Sequence, residues 1–118
     1  MTVVAYKLLD RLEWDGAQAS GRYDGSAVDR ADGYIHMSTA DQLAETARRH
    51  YRDRPHLVLL EVTLEALGPG LKWEASRGGA RFPHLYGPLP ASAVRHSRTL
   101  SVDAAGVMQF DDGGPAWG

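Results

Sequence analysis

The sequence contains no cysteine. Disulfides, thiolate nucleophiles and cysteine-ligated metal sites are therefore excluded. It also lacks a long apolar run: the longest, residues 57–60, falls far short of the roughly 20 residues that span a bilayer. Residues 1–7 show no signal-peptide layout, and together these features point to the cytoplasm. Charge of one sign is missing as well. Lys and Arg number 13, Asp and Glu 15, and the net charge is −2. Such a balance leaves no bulk footprint for nucleic acid or an anionic membrane. There are no internal repeats, no nucleophile elbow and no phosphate-binding glycine loop. The five histidines, at 36, 50, 56, 84 and 96, include no pair at helical zinc spacing, so no metal is expected.

What is present suits a small globular protein. A chain of 118 residues, 43% of them hydrophobic, is enough for one core without staples. The expectation is a single domain over residues 1–110 with a flexible tail over 111–118. Residues 3–9 read as a first strand. Asp10 with Glu13 reads as a cap for a helix that carries Leu12, Trp14, Ala17 and Ala19, with Trp14 as a core anchor, and stops at Gly21. Residues 21–33 read as a polar loop, with one helical turn over 26–30 and Tyr23 as a candidate lid. Residues 33–38 read as a short strand entering a helix. That helix carries Leu43, Ala47 and Tyr51 on one face, and Arg48, Arg49, Arg52 and Arg54 near its end, where cations are favourable.

Residues 56–63 form the strongest strand signal, with the continuous apolar run of a central strand covered on both faces. Residues 71–75 and 93–102 read as further strands, and residues 107–110 as the return of a hairpin. Trp117 stands out in an otherwise glycine- and aspartate-rich tail. About six short strands and two main helices, without regular alternation, predict an α+β fold with a small split mixed sheet.

Chemistry concentrates in two stretches. Residues 33–38 carry His36 and Ser38, and residues 82–89 carry His84 and Tyr86. In each pair the residues are two apart, so on an extended segment both point to one side. With Glu74 they form a candidate pocket of hydrogen-bonding groups. An imidazole and a hydroxyl on one strand suit a ribose diol or a carboxamide, a tyrosine offers a stacking face, and a carboxylate can orient a hydroxyl or act as a base.

At Gly33-Tyr34-Ile35-His36-Met37-Ser38, Trp73-Glu74 and Phe82-Pro83-His84-Leu85-Tyr86-Gly87-Pro88-Leu89 the chain resembles the bacterial family catalogued as domain of unknown function 952. That family is thought to resemble the ADP-ribosyltransferase fold, which holds NAD in an extended cleft. The resemblance implies that His36 contacts a ribose hydroxyl, that the Met37 backbone and the Ser38 hydroxyl hold the nicotinamide amide, and that Tyr86 stacks on the ring. Such transferases also carry a late glutamate; no Glu follows Tyr86, and Glu74 precedes it. Catalytic candidates are therefore His36, Glu74 and His84. Binding candidates are His36, Met37, Ser38, Tyr86 and Tyr23. The functions in play are an NAD-dependent ADP-ribosyltransferase or NAD glycohydrolase, a non-catalytic nucleotide-binding module, and an RNA-end-processing enzyme that grips phosphate through Arg22, Arg77, Arg81, Arg95 and Arg98.

Overall fold

The computed structural model describes residues 3–75 and 77–115. Its framework is a four-stranded antiparallel sheet in the order β1, β4, β8, β9: Val4–Asp10, Arg54–Thr63, Val94–Val102 and Met108–Phe110. Strand β4 lies between two partners, as its apolar run predicts. Leu8 pairs with Leu59 across β1, and Leu59 pairs with Arg98 across β8.

The two-residue period of β4 divides the core. Leu57 and Leu59 point to one face, where they meet Tyr6, Leu8, Leu100 and Val102 under Leu43 and Ala47 of α3 (Ala40–His50). Val58, Leu60 and Val62 point to the other. There they pack with Ala5 and Leu9, with Trp14 and Ala17 of α1 (Arg11–Ser20), and with Ile35 and Leu85. Burial on both faces is what a continuous apolar strand requires.

Ile35 and Leu85 belong to a second sheet, made of β3 (Ile35–His36), β6 (Arg81–Leu85) and β5 (Leu71–Ala75). A third pairing joins β2 (Arg22–Tyr23) to β7 (Leu89–Pro90). The large and small sheets are tied by one bridge, in which Tyr6 and Ser38 exchange backbone hydrogen bonds of 2.7 and 2.9 Å. Every pairing among the described residues is antiparallel. The fold is α+β, and the expected mixed sheet is replaced by three antiparallel ones.

Other expectations shift in detail. The segment read as a loop contains a third helix, α2 (Ala27–Asp32), started by a capping box in which Ser26 and Asp29 bond reciprocally. Helix α1 buries Trp14, as expected, together with Ala17, while Leu12 is 83% exposed and Ala19 is also exposed. Asp10 stands at the cap of α1, but its carboxylate accepts from Arg54 at 2.8 Å rather than from the helix. Thr39 caps α3, and its N–H donates to the Gln42 side chain at 3.0 Å. The basic end of α3 is paired locally, Arg48 and Arg49 with Glu45.

The tail is partly anchored. Arg98 grips Asp112 with two hydrogen bonds of 2.8 and 3.0 Å while lying 3.9 Å above the Phe110 ring. Trp117 lies outside the described residues. No helix among the described residues is long and apolar enough to cross a membrane.

Since Leu59 and Leu60 are both fully buried but on opposite faces, each core can be tested separately. Leu59→Ala and Leu60→Ala should each destabilise the fold by about 2–5 kcal/mol, read as a lower urea midpoint with an unchanged slope.

Candidate functional site

Strand register brings the two histidines together. His36 of β3 lies directly opposite His84 of β6, and His84 lies opposite Lys72 of β5. On the other face the same rows carry Ile35, Leu85 and Leu71, which face the core. One side of the small sheet is thus apolar and buried, and the other carries the chemistry. The His36 and His84 rings sit 5.6 Å apart, edge to face. Tyr34 joins them, stacked on His84 at 4.1 Å and tilted against His36 at 4.6 Å.

Each histidine has a carboxylate partner. His84, only 4% exposed, bonds through Nδ1 to Glu74 Oε1 at 2.8 Å, and the Tyr86 hydroxyl donates to the same oxygen at 2.8 Å. These donors, His84 first and then Tyr86, hold the Glu74 carboxyl below its usual range, while the bond to Glu74 raises the Tyr86 phenol. His84 Nε2 makes no hydrogen bond among the described residues.

The other partner is Asp29, which is 2% exposed. Its Oδ1 lies 2.6 Å from His36 Nδ1 and accepts the His36 backbone N–H at 3.1 Å. Its Oδ2 lies 2.9 Å from Nζ of the equally buried Lys7 and accepts the Ser26 N–H at 3.0 Å. Burial alone would push the Asp29 carboxyl up. The hydrogen bond from His36 and the Lys7 charge outweigh it and hold the group well below the ordinary carboxylate range. Lys7 is pushed down by burial, against the opposing pull of Asp29. Nε2 of His36 faces Asp32 at 2.9 Å. A neutral imidazole can donate to only one of these two carboxylates, and the protonated ring satisfies both.

These groups border a cleft of about 580 Å³ between α2, β1, β3 and α3, lined among others by Lys7, Asp29, Tyr34, His36, Ser38 and His84. That volume lies within the range of small-molecule sites, about 300–1,000 Å³. His36 and Ser38 share it, as their spacing predicts, although the Ser38 hydroxyl is engaged with Thr46 at 2.8 Å. Glu74 and Tyr86 stand outside the lining and reach the cleft through His84.

Two expected binding residues are engaged otherwise than expected. Met37 borders the cleft, but its side chain is buried in the core and its N–H donates to the Pro83 carbonyl at 3.1 Å. Tyr23 is no lid: it is 3% exposed, packs in the core and donates to Glu13 at 3.2 Å. None of Arg22, Arg81, Arg95 and Arg98 lines the cleft. No group of His, Asp and Glu suited to a metal occurs among the described residues.

Three residues central to the geometry escaped the sequence reading, and two left a signal. Lys7 is a charge in the middle of an apolar strand, on the same side as Ala5 and Leu9. Asp29 is the closing member of the Ser26–Asp29 capping box. Tyr34 lies inside the recognised stretch, but nothing in the spacing distinguishes it from Tyr86 as the stacking ring.

Asp29 is also held in place by its neighbour. Gly25 has φ +102°, and a Cβ there would stand 2.8 Å from the Asp29 Cβ. Asp29→Ala should cost about 3–5 kcal/mol, because it strands the buried Lys7 charge. Asp29 is depressed in the folded state, so its contribution is fully present above the unfolded carboxylate value, about 3.9, and is lost as pH falls towards its folded value. Stability measured by urea unfolding from pH 5 downward should therefore fall less steeply in Asp29→Asn than in the parent.

A family model described as a protein of unknown function (DUF952) matches residues 8–97. The crystal structure of protein CC0527 from Caulobacter crescentus is 57% identical over 91% of this chain and 94% of that one, with a TM-score of 0.86. The solution structure of CC0527 covers 90% and 91% of the two chains at 57% identity, with a TM-score of 0.78. No curated protein matches the sequence. By the span of the family match and by this likeness, the chain belongs to the DUF952 family.

Proposed function

We propose that the cleft binds the nicotinamide–ribose part of a nicotinamide nucleotide, with His84, oriented by Glu74, as the acid–base group beside the bound ring. The observation that carries this reading is the cross-strand pairing of His36 with His84 against the Tyr34 ring. A nicotinamide offers a flat face for Tyr34 and a carboxamide that can both donate and accept. Glu74 engages Nδ1 of His84 and leaves Nε2 for the ligand, the arrangement in which a carboxylate fixes the tautomer of a working imidazole.

This reading follows the likeness to the ADP-ribosyltransferase arrangement noted in the sequence, with two changes. Tyr34 takes the stacking place first given to Tyr86. His84 takes the contact first given to His36, whose two ring nitrogens both face carboxylates.

Binding without cleavage is the second reading, and one observation favours it. Breaking the N-glycosidic bond through an oxocarbenium-like state calls for a carboxylate at the ribose. Glu74 already accepts from both His84 and Tyr86, Asp29 from Lys7 and His36, and the other carboxylates of the lining, Asp10, Glu13 and Asp32, face Arg54, Tyr23 and His36. RNA-end processing draws no support from the cleft, since the four arginines placed by the fold lie off it.

Calorimetry with nicotinamide and NAD tests the proposal. Binding at millimolar ligand or below is expected, weakened about tenfold in His84→Gln through loss of one hydrogen bond to the ligand, worth about 1.4 kcal/mol. No heat with either compound at millimolar concentration would overturn it. Release of nicotinamide from NAD by the parent and not by His84→Gln would distinguish an enzyme from a binding module.

A further inference from the structure

The charge lining the cleft narrows the ligand class. Four carboxylates border it, Asp10, Glu13, Asp29 and Asp32, against two basic side chains, Lys7 and Arg54. Two negative charges are in surplus when His36 is neutral, and one when its ring is protonated between Asp29 and Asp32. Both cations are already committed: Lys7 Nζ lies 2.9 Å from Asp29, and Arg54 lies 2.8 Å from Asp10. The two remaining carboxylates have weaker counterparts. Glu13 accepts from the Tyr23 hydroxyl, and Asp32 faces His36 while staying 48% exposed.

The tyrosines around the cleft register the same field. Burial, and then Asp32, Glu74 and Asp29, push the Tyr34 phenol up. Burial, assisted by Asp29, pushes Tyr51 up to about 12. Tyr34 and Phe82 add aromatic rings to the lining, and such rings favour a cation over an anion. A polar group awaits a partner at the same place: His84 lines the cleft, is 4% exposed, and has Nε2 without a hydrogen bond among the described residues.

A phosphate or pyrophosphate entering here would meet net negative charge and two cations already paired. Separating Lys7 from Asp29, a buried pair, is costly, and Arg54 is shared with Asp10 at a half-exposed site. A ring that itself carries positive charge meets the opposite situation: surplus carboxylate, aromatic surface and an imidazole acceptor.

We infer that, within the nicotinamide-nucleotide reading on which this rests, the cleft selects a cationic, unphosphorylated N-ribosylpyridinium over its phosphorylated forms. Nicotinamide riboside carries the pyridinium charge alone. The mononucleotide adds a phosphate and NAD a pyrophosphate, and each addition weakens binding.

Titration calorimetry at low salt with nicotinamide riboside, the mononucleotide, NAD and neutral nicotinamide tests this. The riboside should bind about tenfold or more tighter than NAD, with a preference that shrinks as salt is raised. Asp32→Asn, at a half-exposed site where folding is little affected, should weaken riboside binding several-fold more than that of neutral nicotinamide. NAD binding as tightly as the riboside, or tighter, would overturn the charge selection and leave the nicotinamide reading standing. No binding by any of the four would overturn both. An equal loss for riboside and nicotinamide in Asp32→Asn would also contradict the inference, because a neutral ligand should not sense the charge.

Discussion

The structure around the cleft depends on one buried carboxylate. Asp29 accepts from Lys7 of β1, from the ring and backbone of His36 of β3, and from the Ser26 N–H at the start of its own helix. Strand β1 is thereby fixed to α2 and to β3, which follows α2 directly in the chain. Lys7 sits in a strand whose neighbours on that face, Ala5 and Leu9, are core residues. An ammonium group there is tolerable only with a charge partner. The six-residue helix α2 is too short to be stable alone, and its closing capping residue is also the ion-pair partner. Removing Asp29 would therefore release α2, strand Lys7 and free His36 together.

The second constraint is the register of the small sheet. Met37 bonds to Pro83, and Ser38 bridges to Tyr6, so β3 is pinned between β6 and β1 although it is only two residues long. Because side chains alternate on a strand, a slip of one residue would turn His36 into the core and Ile35 into the cleft. Gly70 contributes to the same precision. A Cβ there would stand 2.8 Å from the Tyr86 carbonyl oxygen, and the Tyr86 N–H donates to the Gly70 carbonyl at 2.8 Å. The backbone that carries His84 and Tyr86 is thus packed against a position without a side chain. A strongly paired scaffold placing polar groups on a lightly paired insert is a common way to build a site.

Much of this was legible in the sequence. The apolar run of β4 declared a central strand, and the spacing of His36 to Ser38 declared one face, because both signals are periodic and local. The convergence of His36 with His84 was readable as a bet on two similar stretches, and the register makes it geometry. The rest depends on contacts far apart in the chain. Tyr23 looked like a lid because it sits between glycine-rich segments, and it is buried because β2 pairs with β7, some 65 positions on. Lys7 could be recognised as inward-facing, but its partner lies 22 residues away on a helix signalled only by its cap. Trp14 could be recognised as the anchor of α1, but the exposure of Leu12 beside it follows from a contact with the sheet that Trp14 and Ala17 already fill.

The central claim is that His84, paired across the strands with His36, meets a ligand in the cleft that both histidines line. The most direct test is to follow the imidazole resonances of all five histidines by NMR while nicotinamide riboside is added. The account predicts saturable shifts at His36 and His84, with His56 and His96, which lie outside the cleft lining, unmoved. Shifts confined to His56 or His96, or none at His84 at millimolar ligand, would contradict it.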